Sequence, residues 1–245
     1  MGLDGRVAVV TGGSRGIGAA IARRLAAGGA DVALTYNSAA DRASAVADEI
    51  TALGRRALVF KAPADDRESV AQAVRQTAAE LGRLDILVNN AGIFDYGHLE
   101  DLTDEQFDRT VEVNVRAVFT ATRAAAPLMG PGGRVISIGS NLADRAGGAG
   151  ISLYAMSKAA LVGLTRGMAR DLGPRGITVN LVQPGSTDTD MNPADGVGAE
   201  AQLASSAVGH YGVPEDVAGA VAYLAGSGSG YVTGSVLTVD GGQLA

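Results

Sequence analysis

Two periodicities alternate along this chain. Short apolar, β-branched runs such as VAVVT at 7–11, RVISI at 134–138 and ITVNLV at 177–182 are each followed by longer, Ala-rich stretches of helical period. That alternation is the signature of βαβ units wound on a parallel sheet. It predicts strands at Val7–Thr11, Asp31–Thr35, Ala57–Phe60, Leu84–Asn89, Arg134–Ile138, Ile177–Val182 and Leu237–Val239, seven in all. Helices are predicted at Gly16–Ala27, Ala39–Leu53, Arg67–Leu81, Asp104–Pro127, Tyr154–Leu172 and Pro214–Leu224, several stopped by Gly28, Gly54, Gly82 or Gly173. The pattern continues without a break, so the expectation is one α/β domain over residues 1–245, a doubly wound, Rossmann-type parallel sheet. The longest stretch without periodicity, Pro184 to Gly212, follows a strand and lies where such sheets bind ligands, so it is expected to be a lid.

Composition narrows the partners. Hydrophobic residues at 47% and charged residues at 19% describe a globular chain able to bury a full core. A formal charge of −6 argues against a nucleic-acid partner held through phosphate neutralisation. The absence of cysteine excludes disulfides, a thiolate nucleophile and Cys-ligated metal, and the two histidines, His98 and His210, lack metal-ligand spacing. No segment is apolar for long enough to span a bilayer and the start, MGLDGRVAVVTGG, does not read as a signal peptide, so a cytoplasmic, non-membrane protein is expected.

Directly after the first strand comes Thr11-Gly12-Gly13-Ser14-Arg15-Gly16-Ile17-Gly18, opening a helical run. Glycines there let the backbone turn tightly and approach a pyrophosphate, whose charge meets free N–H groups at the helix start. A turn without ligand, or a nucleoside site of the methyltransferase kind, would use the same letters. At the end of the second strand the chain reads Tyr36-Asn37-Ser38, with no acid to hold a ribose 2′-hydroxyl. Asn37, Ser38 and the guanidinium of Arg15 can instead donate hydrogen bonds to a 2′-phosphate, which favours NADPH over NADH.

Tyr154 and Lys158 are four apart at the start of a predicted helix and so share a face. A phenol titrates near roughly 10, and a neighbouring ammonium is expected to bring it toward the useful acid–base range. Lys61 and Lys158 are the only lysines among twenty basic residues, which suggests that a compact ammonium is needed at 158.

TGGSRGIG, then Asn89-Asn90-Ala91-Gly92 after the fourth strand, then YAMSK, occurring in this order, resemble the short-chain dehydrogenase/reductase family, near its 3-oxoacyl-carrier-protein reductase or ketoreductase members; the similarity runs from Arg6 to Gly242. The resemblance implies that Tyr154 is the general acid for a carbonyl oxygen and that Lys158 holds the nicotinamide ribose and relays protons. It implies that Ser140 orients the carbonyl, with Ser137 and Asn141 as neighbours able to compete, and that Asn114 holds water linking the lysine to solvent. Asn90, Ala91 and Gly92 would contact the adenosine ribose, and Pro184, Gly185, Thr187 and Thr189 the nicotinamide side. Two departures stand out. Ser186-Thr187 replaces a customary apolar pair, and Pro63 replaces an aspartate that bonds the adenine amino group, with Asp65 a substitute only if the loop shifts.

The resemblance further implies a homotetramer. The catalytic helix carries small residues at Ala155, Ala159, Gly163 and Gly167 and an apolar stripe at Leu161, Leu164, Met168 and Leu172, which serve either subunit contact or the core. The functional expectation is reduction of a small-molecule ketone with NADPH. Two other readings stay open: an alcohol or polyol dehydrogenase using the same residues, and a cyclic-di-GMP-binding regulatory protein, since the segment Gln183–Gly196 resembles a subgroup containing such a protein. The segments Ala143–Leu153 and Asp188–His210 are expected to line the substrate pocket, with Asp144 and Arg145 as its charged candidates.

Overall fold

The computed structural model describes residues 2–245. Its strands are β1 Val7–Val10, β2 Asp31–Tyr36, β3 Ala57–Lys61, β4 Ile86–Asn89, β5 Arg134–Ile138, β6 Thr178–Pro184 and β7 Val236–Val239. The helices are α1 Gly16–Ala27, α2 Ala40–Ala52, α3 Arg67–Leu81, α4 Asp104–Val111, α5 Ala117–Ala125, α6 Ser152–Leu172, α7 Ala199–Ala204 and α8 Pro214–Ala225. All seven strands form one parallel sheet in the order β3-β2-β1-β4-β5-β6-β7.

Alternate strand residues face two helical layers, which is why the strands read as nearly continuous apolar runs. Val10, Leu34, Val88 and Ile136 pack with Ile21 and Leu25 of α1, Ile50 of α2 and Leu224 of α8. Val9, Ala33, Leu87 and Val135 pack on the other side with Val74 of α3, Ala125 of α5 and Ala169 of α6. After β1 the chain winds outward to β2 and β3, and after β3 it returns to β4 on the other side of β1. The order therefore reverses between β1 and β4, and the crevice beyond their carboxyl ends is the natural ligand position.

Two predicted boundaries need correction. The helix expected over 104–127 is interrupted: Glu112–Arg116 form a π-helical turn between α4 and α5, and a 3₁₀ turn at Ala126–Leu128 closes the segment. The wide turn coincides with Asn114, whose amide is drawn away from the helix to the main chain of Ile93. The stretch 184–212 is more ordered than its aperiodic sequence suggested. β6 runs on to Pro184, α7 occupies 199–204, and a parallel bridge between Thr187 and Gly212 ties the base of the excursion. Among the described residues no helix is long and apolar enough to cross a membrane.

Candidate active site

The glycine turn leaves α1 with a bare N-terminus. Arg15 is its N-cap without a side-chain cap, and its first turn carries no acid. A Cβ built on Gly18 would lie 2.3 Å from the Gly12 carbonyl oxygen and 2.4 Å from Asn90 Nδ2, so only glycine permits this approach. Gly12 adopts φ +65°, the left-handed region, and its N–H donates to Thr35 Oγ1 at 3.1 Å. The result is a cradle of main-chain N–H groups and helix dipole open to an anion, which suits a pyrophosphate.

Thr11 locks this turn to β4. Its Oγ1 accepts the N–H groups of Asn90 (3.0 Å) and Ala91 (3.1 Å), while Asn90 Nδ2 donates to the carbonyls of Thr11 and Gly12, each at 3.0 Å. Ala91, Ala62, Ala64, Thr11, Thr35 and Val118 line a small cavity beside it. Pro63 stands next to that cavity, and its carbonyl accepts the N–H of Asp66 at 3.0 Å. Asp66 in turn caps α3 through Ser69, and Asp65 is exposed without a hydrogen bond among the described residues.

Beyond the turn, side chains from three elements meet. Asn114 is fully buried; its Oδ1 accepts the Ile93 N–H at 2.9 Å, and its Nδ2 donates to Ile93 O and to Ser157 Oγ, both at 3.0 Å. Ser157 Oγ donates to the carbonyl of Tyr154 at 2.8 Å, so the π-helical turn is stitched to the first turns of α6. Lys158, 4% exposed, donates from Nζ to Ile138 O at 3.0 Å and lies 5.5 Å from the centre of the Tyr154 ring. A Cβ on Gly92 would come within 3.2 Å of Asn114 Oδ1 and 3.4 Å of Lys158 Nζ, which places Gly92 between the two. Ser140 lies near the Tyr154 phenol, whose pKa it draws down, and accepts the Leu142 N–H at 3.2 Å. Its competitors are otherwise engaged: Ser137 is wholly buried and bonds Asn89, and Asn141 donates to Gln243 at 3.0 Å. The Phe94 ring meets Tyr154 edge-on at 4.8 Å and is itself exposed, and Tyr96 two residues on is exposed beside His98.

The ionisation of this pair runs against the sequence expectation. Burial pushes the Tyr154 phenol up to about 12, nearby Ser140 opposing it, and burial pulls Lys158 down to about 8. Full burial of Lys158 and partial burial of Tyr154 penalise the charged form of each, and at this separation the ammonium does not outweigh that penalty. In the free protein Tyr154 is therefore firmly protonated near neutrality.

The remaining predicted residues form the rim. Ser14, Arg15, Gly16 and Ile17 follow Gly12 around the turn, and Tyr36, Asn37 and Ser38 leave β2 with Asn37 and Ser38 exposed. Pro184 ends β6; Thr187 is buried with its hydroxyl donating to Gly185 O at 3.1 Å, and Thr189 lies over Gly16. His98 and His210 are both exposed and belong to no group able to hold a metal among the described residues. Asp144 and Arg145 make no salt bridge among the described residues, and Arg145 is exposed. Sequence reasoning missed Thr11, Arg42 and Gln243. Arg42 pairs with Asp190 beside Arg15. Gln243 makes five side-chain hydrogen bonds, to Asn141, to Ser186 N and Oγ, and to Gln202 O and Ser205 Oγ. It thereby joins the turn after β5 to the 184–212 segment. Only Arg42 had a signal in the sequence, a basic residue a few positions beyond the Asn37-Ser38 pair.

Comparison with known proteins agrees with this geometry. Residues 12–243 match the family model described as "Enoyl-(Acyl carrier protein) reductase". A crystallised short chain dehydrogenase from Burkholderia cenocepacia J2315, in complex with NADP, is 58% identical, superposes with a TM-score of 0.99 and covers 100% of both chains. The cyclic-di-GMP-binding biofilm dispersal mediator protein of Escherichia coli (strain K12) is 46% identical over 237 residues, 97% of this chain and 96% of its own. Versicolorin reductase 1 of Dothistroma septosporum is 38% identical over 253 residues, 98% of this chain and 96% of its own. With a family match over nearly its whole length, a parallel seven-stranded sheet, and the glycine turn and Tyr-Lys helix facing the switch point, this chain belongs to the short-chain dehydrogenase/reductase family.

Proposed function

We propose that this chain is an NADPH-dependent reductase that converts a small-molecule ketone to an alcohol. The observation that carries the reading is the meeting of Ser140, Asn114 and the α6 pair Tyr154 and Lys158, from three elements, beside an uncapped, glycine-lined helix start. Gly12, Ser14, Arg15, Gly16, Ile17 and Gly18 would hold the pyrophosphate. Tyr36, Asn37 and Ser38 with Arg15 would hold the phosphorylated ribose, Asn90, Ala91 and Gly92 the adenosine side, Lys158 the second ribose, and Pro184, Gly185, Thr187 and Thr189 the nicotinamide side.

When bound, the reduced nicotinamide supplies a hydride to the carbonyl carbon. Ser140 holds the carbonyl oxygen, and Tyr154 gives it the phenolic proton, so that hydride and proton together complete the alcohol. A phenol held near 12 is in the protonated, donating form at neutral pH, the form that reduction requires. Lys158 steadies the phenolate left behind, and Asn114 with the Ile93 carbonyl holds the water that returns a proton from solvent. The exposed ring of Phe94 against Tyr154 suits an apolar substituent on the ketone. A panel of ketones and 3-oxoacyl thioesters, followed by NADPH absorbance, tests this: wild type consumes NADPH with at least one substrate and Tyr154→Phe does not. No consumption with any oxo compound defeats the proposal.

A regulatory reading has one supporting observation, the 46% identity to the Escherichia coli cyclic-di-GMP-binding relative. Titration with cyclic-di-GMP discriminates: tight binding without any carbonyl turnover would favour regulation. We also infer a cytoplasmic homotetramer. Phe107 and Phe119 are 46% exposed, and Ala159, Gly163 and Gly167 leave an open, small-residue face on α6, so unpartnered apolar surface is available for subunit contact. A monomeric mass in light scattering would overturn the assembly.

A further inference from the structure

Arg15, at the start of α1, and Arg42, in the first turn of α2, converge on one oxygen. Both Nη1 atoms bond Asp190 Oδ2, at 3.2 and 2.5 Å, although Asp190 lies 175 and 148 residues away in sequence. One anionic oxygen between two guanidiniums is the arrangement a phosphate oxygen takes. No other carboxylate pairs with either arginine among the described residues, and Asp190 makes no other hydrogen bond among them. A tight turn presents it. Thr189 and Asn192 exchange main-chain hydrogen bonds of 3.3 and 3.0 Å, and a Cβ on Gly16 would lie 3.4 Å from Thr189 Cγ2, so the turn rests directly over the start of α1.

We propose that Asp190 is a specificity-determining residue: its carboxylate occupies the seat of the NADPH 2′-phosphate between Arg15 and Arg42, must leave when NADPH binds, and stays when NADH binds. The proposal rests on the coenzyme assignment above. All three side chains are half exposed or more, so the two ion pairs are weak and a dianionic phosphate displaces a single carboxylate readily. Asp190 shares its loop with Thr187 and Thr189, so filling the phosphate seat also releases the tether holding the nicotinamide-side loop over the glycine turn. NADH leaves that tether closed.

The test is the dissociation constant of each coenzyme for wild type, Asp190→Asn and Asp190→Ala, by fluorescence titration. Removing the competing carboxylate tightens NADPH about fivefold in both variants and shifts NADH by less than about twofold. Equal tightening of both coenzymes, no change in either, or weaker NADPH binding overturns the role of Asp190. Arg42→Ala and Arg15→Ala separate this from the coenzyme assignment: each weakens NADPH and spares NADH if the phosphate sits there. If both leave NADPH affinity unchanged, the placement of the 2′-phosphate is wrong and the inference falls with it.

Discussion

The floor and the rim of this site are built on opposite terms. On the floor, Asn114, Ser140 and Lys158 are 7% exposed or less, and each has hydrogen-bond partners inside the protein. On the rim, Arg15, Arg42 and Asp190 have side chains 60%, 59% and 52% exposed and satisfy one another. Groups that must be aimed to a fraction of an ångström are locked before any ligand arrives. Groups that must recognise a charged ligand are paired loosely enough to exchange partners. On the proposed roles, the difference sets a preorganised chemistry on the floor against a coenzyme choice made by electrostatic competition at the surface.

The sharpest way to break that comparison is at the floor. Tyr154→Phe removes the proton donor but no packing, and reductase turnover should fall about 10³-fold with NADPH affinity retained, measured by steady-state kinetics beside a coenzyme titration. Comparable activity would place the chemistry elsewhere. Lys158→Met should lower turnover about 10²-fold and should also change the response of stability to pH. Burial lowers Lys158 from its ordinary 10.5 to about 8, so between these values the unfolded chain binds the extra proton and the folded one does not. Stability from this group therefore rises as pH climbs from about 8 toward 10.5. Denaturant titrations should show wild type gaining on Lys158→Met through that window; parallel curves would mean the lysine is not desolvated.

Between floor and rim stands Gln243. Gln243→Ala cuts the ties between Asn141, Ser186 and α7, and kcat/KM should fall about tenfold, chiefly through KM for the ketone, while coenzyme affinity holds. A loss confined to melting temperature would make it a structural residue only. The smallest effect is expected at the adenine side. Pro63→Asp restores a carboxylate beside the cavity lined by Ala62 and Ala64, and should tighten NADPH and NADH alike by about threefold. The equal response to both coenzymes distinguishes it from the Asp190 variants, whose effect depends on the 2′-phosphate.

The architecture was legible because its signals are local. Apolar runs, helical period and stopping glycines report the strands and helices without reference to the rest of the chain, and the glycine turn and the Tyr154–Lys158 spacing are local as well. What escaped depends on distant partners. The π-helical turn at 112–116 is recorded in no periodicity, because it is set by Asn114 reaching Ile93, whose main chain comes from the end of β4. The protonation of Tyr154 was misjudged because spacing reports the neighbouring ammonium and says nothing of burial. Asp190 and Gln243 have polar side chains like any surface residue until the fold brings each to its partners, and Arg42 offered only a basic residue a few positions beyond Asn37 and Ser38.

Gln243 lies 102 residues beyond Asn141 and 57 beyond Ser186. On a ribosome, strands β1 to β5 and the glycine turn are therefore translated long before the residue that clasps the end of β5 to the 184–212 segment, so this clasp is made only after the strand end it fastens is already in place.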